Sequence, residues 1–97
     1  MKLRQYLLIK LAEECNEVAQ MASKCALFGY DSVDPREQTG ETNLQKLLKE
    51  LADLVAVNEM LSDLPDMPEL EFDADIHIEQ KKIKLLHYFK VSQEINR

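Results

Sequence analysis

The stretch "LIKLAEECNEVAQMASKC", residues 8–25, decides how the chain folds. Its apolar residues Leu8, Leu11, Cys15, Val18, Ala22 and Cys25 recur at alternating spacings of three and four, the signature of a helix that buries one stripe. The pattern predicts a first helix from about residue 2 to Leu27. Within it, Glu13, Glu14 and Glu17 place three carboxylates in five positions. Glu14 and Glu17 stand one turn apart, and like charges so placed repel rather than support a helix. Water, a lysine or a metal ion has to compensate them.

Outward from this helix, "FGYDSVDPREQTG" (residues 28–40) brings Gly29, Pro35 and Gly40 among polar residues and reads as a loop, rather long for a passive connection. Thr42 followed by Gln45 fits a capping box, and Leu44, Leu47, Leu48, Leu51 and Val55 mark a second amphipathic helix ending near Ser62. "DLPDMPELEF" (63–72) is the next break, because each proline disfavours helix at the residue before it. From about Asp75 onward, Ile76, Ile83, Leu86 and Phe89 recur among lysines and predict a third helix. There is no internal repeat, low-complexity tract or strand pair. The fold class is all-α, one domain over residues 1–97, with an antiparallel helical pair followed by a C-terminal helix. At 97 residues, self-association is a natural way to bury more surface.

The formal net charge of −6 argues against a nucleic-acid polymer as partner, since a phosphate-backbone binder needs a basic face to displace counterions. No apolar run approaches the roughly 20 residues of a membrane span. "MKLRQYLLIKLAEE" is broken by charge every few positions, unlike a signal peptide. The expectation is a soluble, cytoplasmic protein. Cys15 and Cys25 are ten residues apart on one helix, about 15 Å and beyond the roughly 4.4–6.8 Å of a disulfide. They are read as reduced core residues.

At about 100° per residue, Glu14 falls on the shoulder of the first apolar stripe with Glu17 further round the same side, while Glu13 points nearly opposite. In "KELADL" (49–54), Glu50 and Asp53 repeat the three-residue spacing with a displacement in the same rotational sense. In an antiparallel pair, shoulders displaced alike come out on one face. Glu14, Glu17, Glu50 and Asp53 are therefore expected to converge. Four carboxylates around one space suit a hard divalent cation, Mg²⁺ with Mn²⁺ as a substitute, that keeps waters for chemistry. The competing reading is a solvated acidic face. A di-iron site is disfavoured, because neither His77 nor His87 has an acid three residues before it.

Lys10, Glu14, Glu17, Met21 and Lys24 form one column on the first helix, and Lys46 precedes Glu50 by one turn. Lysines around carboxylates suit an anionic ligand such as a triphosphate; the alternative is ordinary i,i+4 pairing of Lys10 with Glu14 and Lys46 with Glu50. Lys81, Lys82 and Lys84 are a further basic group that either closes over phosphates or is a solvated face. Asn58 falls in the second helix's apolar stripe, where an amide needs partners, and either fixes register or assembly or faces the ligand. Phe28 and Tyr30 either stack a nucleobase or cap the core.

With these residues assembled, the sequence resembles the all-α nucleoside triphosphate pyrophosphohydrolases, the superfamily of MazG and the dimeric dUTPases. Their hallmark, E-E-x-x-E on one helix and E-x-x-D on the next, is matched by Glu13-Glu14-Cys15-Asn16-Glu17 and Glu50-Leu51-Ala52-Asp53. "LLIKLAEECNEVAQMASKCALFGYD", "TNLQKLLKELADLVAVNEML" and "KKIKLLHYFKVSQE" look like a MazG-like branch common in phages and prophages, so the resemblance covers most of the chain. It implies Mg²⁺-dependent hydrolysis of an NTP or dNTP to monophosphate and pyrophosphate in a bacterial or phage-infected cell. Glu14, Glu17, Glu50 and Asp53 would be metal ligands and Glu17 the residue that orients or deprotonates water. Lys24, Lys46, Lys81, Lys84, Asn58 and Phe28 are the candidate substrate contacts. The assembly implied is a homo-oligomer, dimer or tetramer, with a four-helix-bundle core. Two other functions fit the same surface: an acidic helical module that engages a basic protein, and a nucleotide sensor that binds without turnover.

Overall fold

The computed structural model describes residues 1–96, and its regular elements are three helices, α1 (Leu3–Phe28), α2 (Asn43–Ser62) and α3 (Ala74–Ile95). Each boundary lies within a residue or two of its sequence expectation. Where α1 begins, the Gln5 Oε1 accepts from the Lys2 N–H at 3.2 Å. It stops at Gly29, whose φ of 91° and ψ of 162° lie in a region essentially reserved for glycine. The Gly29 N–H donates to the Cys25 carbonyl at 2.9 Å. The capping box at α2 is formed in both directions: the Gln45 N–H donates to the Thr42 hydroxyl oxygen at 3.2 Å, and the Thr42 N–H to Gln45 Oε1 at 2.8 Å.

The chain divides into two compact units, residues 1–67 and the remainder from Pro68. In the first, α1 and α2 form an antiparallel hairpin. Arg4 at the start of α1 reaches Asp66 just beyond α2 at 3.1 Å, and at the other end Val33 forms an isolated antiparallel bridge with Thr42. The loop is fastened to the head of α2, since the Asn43 and Leu44 N–H groups donate to the Ser32 and Tyr30 carbonyls at 2.8 and 3.0 Å.

The seam between the helices keeps part of the stripe that the sequence suggested, Leu11, Val18 and Cys25 on α1 and Leu44 and Leu47 on α2, and departs from the rest. On α1 Leu7, Leu11, Glu14, Val18, Met21 and Cys25 are turned from solvent, and Lys10 and Lys24 are also half-buried; on α2 Asn43, Leu47, Glu50, Leu54, Val57 and Leu61 are turned from solvent, and Leu44 and Lys46 are also half-buried. Leu8, Cys15 and Ala22, expected in the core, are exposed, and so are Leu48, Leu51 and Val55. Both helices carry two apolar stripes one position apart, and period alone does not say which of them meets the other helix. Two consequences follow. Glu14 and Glu50 stand within the seam rather than on its shoulder. The displaced stripes, shifted the same way along both chains, form a second apolar face on the side of the hairpin away from Glu17 and Asp53.

In the second unit, Asp73 caps α3 by accepting from the Ile76 N–H at 3.1 Å. Helix α3 buries none of its residues, and Ile76, Ile83, Leu86 and Phe89 are all more than half exposed. No helix among the described residues is long and apolar enough to cross a membrane.

Candidate metal centre

Oxygens of Glu14, Glu50 and Asp53 lie within 4.8 Å of one another. Glu14 and Glu50 are half-buried and Asp53 is exposed, so the group opens to solvent on one side. Glu17 is outside this closest group of three and exposed, yet its carboxyl lies against that of Glu50. Glu13 points outward and pairs with Lys10 at 2.9 Å.

The electrostatics show how poorly the site is compensated by the protein itself. Contact with Glu17, then desolvation, then the charges of Glu17, Asp53 and Glu14 push the Glu50 carboxyl from 4.5 up to about 7. Desolvation in the seam and the charges of Glu17 and Asp53 also raise Glu14. One oxygen of each, Glu14 Oε2 and Glu50 Oε2, is buried without a hydrogen-bond partner. A buried carboxylate oxygen with no donor costs free energy that a helix seam would not ordinarily retain. These orphaned oxygens fit a divalent cation of the hard, oxygen-ligated kind, Mg²⁺ or Mn²⁺.

The lysines are disposed differently from the simple i,i+4 pairing that spacing allows. Lys10 turns to Glu13, and Lys46 pairs with Glu37 from the loop. Lys49 pairs with Glu41 in the same way. The loop thus supplies its own acids to α2's lysines and leaves Glu50 without one. Lys24 is half-buried and makes no ion pair among the described residues. It lines a cleft of about 230 Å³ with Phe28, Val33, Asp34, Arg36 and Asn43. Lys81 and Lys84 are exposed on α3, in the second unit. Asn58, expected in the α2 stripe, is exposed instead, because the seam lies one position round.

Asn43 is the residue that periodicity passed over. It is 5% exposed, and its Nδ2 donates to the Gly29 carbonyl at 3.3 Å, joining the end of α1 to the start of α2. A polar residue just inside a strong N-cap is ordinarily solvent-facing; this one is buried at the loop end of the seam, against the terminus of α1.

No family model, curated protein or solved structure matches the chain.

Proposed function

We propose that the protein is a Mg²⁺-dependent nucleoside triphosphate pyrophosphohydrolase that cleaves between the α and β phosphates. The observation that carries this reading is the convergence of Glu14, Glu50 and Asp53 oxygens within 4.8 Å, with two buried oxygens lacking any donor. Bound by these three, Mg²⁺ would neutralise phosphate oxygens and supply an acidified water. In phosphoryl transfer the protein mostly positions groups and balances charge, and this chain's residues divide along those lines. Glu14 and Glu50 are fixed in the helix seam and Asp53 stands one turn from Glu50. Glu17, exposed beside Glu50, is free to orient an attacking water and accept its proton. Lys24, unpaired on the same face of α1, is a cation for the anionic substrate.

The reading includes self-association. Only Leu7, Met21, Cys25 and Leu61 form the buried apolar core among the described residues. The second apolar face of the hairpin, opposite the acids, is suited to a second hairpin, giving a four-helix core that leaves the carboxylates accessible.

The test is product analysis of the purified full-length protein with a panel of NTPs and dNTPs, in Mg²⁺ and in chelator. Metal-dependent monophosphate plus pyrophosphate is the expected result. Diphosphate plus phosphate would overturn the cleavage position. No turnover by a folded protein that still binds Mg²⁺ would replace the enzyme with a nucleotide sensor or an acidic binding module.

A further inference from the structure

We propose that α3 is a self-association element that pairs antiparallel with α3 of a second copy of this chain, in one register set by Glu79 and Lys90. This surface is separate from the second apolar face of the hairpin, and the proposal does not rest on the hydrolase reading.

The bare helix is the first observation. Over its 22 residues α3 buries no side chain. Ile76, Glu79, Ile83, Leu86, Lys90 and Gln93 follow one another at alternating spacings of three and four. They form one stripe about 25 Å long, with the repeat of a two-helix seam. Ile76, Ile83 and Leu86 are each more than half exposed, and Glu79 and Lys90 interrupt them. A charge in a covered seam is costly unless it is paired. Whatever covers this stripe therefore has to present a base to Glu79 and an acid to Lys90, eleven residues further on.

A second copy meets that demand by symmetry. Turned end for end about an axis between Lys84 and Leu85, it sets Glu79 opposite the partner's Lys90 and Lys90 opposite the partner's Glu79. The same register sets Ile83 opposite the partner's Leu86 in the middle of the seam, and Ile76 opposite the partner's Gln93 at its ends. Such a two-fold contact uses one patch on both copies. Parallel pairing in register would instead set Glu79 against Glu79 and Lys90 against Lys90, and like charges so placed are repelled. The remaining acids do not oppose the antiparallel arrangement: Asp75 and Glu94 are displaced to opposite sides of the stripe and come out on opposite faces of the pair. In the single chain Glu79 is held by Lys82 at 2.9 Å, one turn along, with both side chains largely exposed. Exposed pairs of that kind are worth little, so exchanging Lys82 for the partner's Lys90 costs little. Lys90 is exposed and makes no ion pair among the described residues.

The test is sedimentation equilibrium of the full-length wild type, of Glu79→Lys, of Lys90→Glu and of an equimolar mixture of the two variants, with helicity followed by circular dichroism. Both positions are exposed, so the variants are expected to stay helical. Each variant alone sets like charges across the seam and should associate roughly tenfold or more weakly than the wild type. In the mixture, one copy of each restores both opposite-charge contacts, and association should return to near the wild-type strength. The hairpin face is the same in all four samples, so the differences report on α3. A monomeric wild type, variants that associate like the wild type, or a mixture no tighter than its components would overturn the proposal. A mixture tighter than the wild type, with the single variants unchanged, would overturn it in favour of parallel pairing.

Discussion

Glu50 on α2 faces Glu17 on α1 carboxyl to carboxyl, and this contact is the largest cause lifting the Glu50 carboxyl to about 7. A folded-state pKa raised above the ordinary 4.5 means that the folded protein holds a proton that the unfolded chain gives up. The associated stability is fully present below about pH 4.5 and is lost as pH rises through 7. Glu14 shifts in the same direction. In chelator, the thermal midpoint followed by circular dichroism should therefore fall between pH 5 and pH 8. Glu50→Gln should flatten that slope and raise the midpoint at pH 8. Mg²⁺ should stabilise the wild type more at pH 8 than at pH 5, because it competes with the proton for the same oxygens. A metal-free midpoint that rises over this interval would contradict the carboxyl–carboxyl contact.

Substitution separates the three grouped acids from their exposed neighbour. Glu14→Gln, Glu50→Gln and Asp53→Asn should each lower Mg²⁺-dependent turnover on the order of 100-fold or more and abolish the Mg²⁺-induced rise in melting temperature, with helicity retained. Glu13→Gln should leave turnover within about twofold, since its pair with Lys10 is a surface contact worth little. Loss of activity in the Glu13 variant comparable to that in the others would place a fifth essential acid at the site, beside these three and Glu17.

How far these residues could be read from the sequence differs by kind. Helix limits were legible because capping and breaking are local: Thr42 and Gln45 announce α2, and Gly29 ends α1. Convergence of Glu14, Glu50 and Asp53 was legible because two three-residue spacings with the same rotational displacement must meet across an antiparallel pair. The seam was not, because Leu7, Glu14 and Met21 compete with Leu8, Cys15 and Ala22 for the same role, and counting apolar residues favours the set without a carboxylate. Glu14 and Glu50 occupy core positions at an energetic cost that hydrophobic periodicity takes as evidence against burial. The partner of Lys46 was not legible for a different reason: Glu37 comes from a loop whose course no periodicity describes.

Local backbone chemistry sets a separate scale. Gly29→Ala meets no atom within 4 Å of the added Cβ, so its cost is conformational alone, roughly 1–3 kcal/mol for leaving a glycine-only region. Thr42→Ala removes one half of the capping box, at about 1 kcal/mol. Urea unfolding of each variant should show the midpoint shift with an unchanged slope. A near-neutral Gly29→Ala would mean that the α1 terminus adopts another geometry in solution.

The last prediction concerns the second apolar face. Leu48 and Val55 are 56% and 53% exposed in the single chain, where a charged replacement should change stability by no more than about 0.5 kcal/mol. If a second hairpin covers that face, the same replacement buries a charge in a helix-packing layer and becomes strongly disruptive. Sedimentation equilibrium should give the wild type a mass that is a multiple of the 11.2 kDa chain, and Val55→Lys should shift it toward the single-chain value with loss of helicity on dilution. Because Leu48 and Val55 lie across the hairpin from Glu17 and Asp53, residual assembled Val55→Lys protein should still gain thermal stability from Mg²⁺. A monomeric wild type, or a Val55→Lys protein indistinguishable from it in mass and melting, would leave Leu8, Leu48, Leu51 and Val55 as solvated surface and remove the case for a four-helix core.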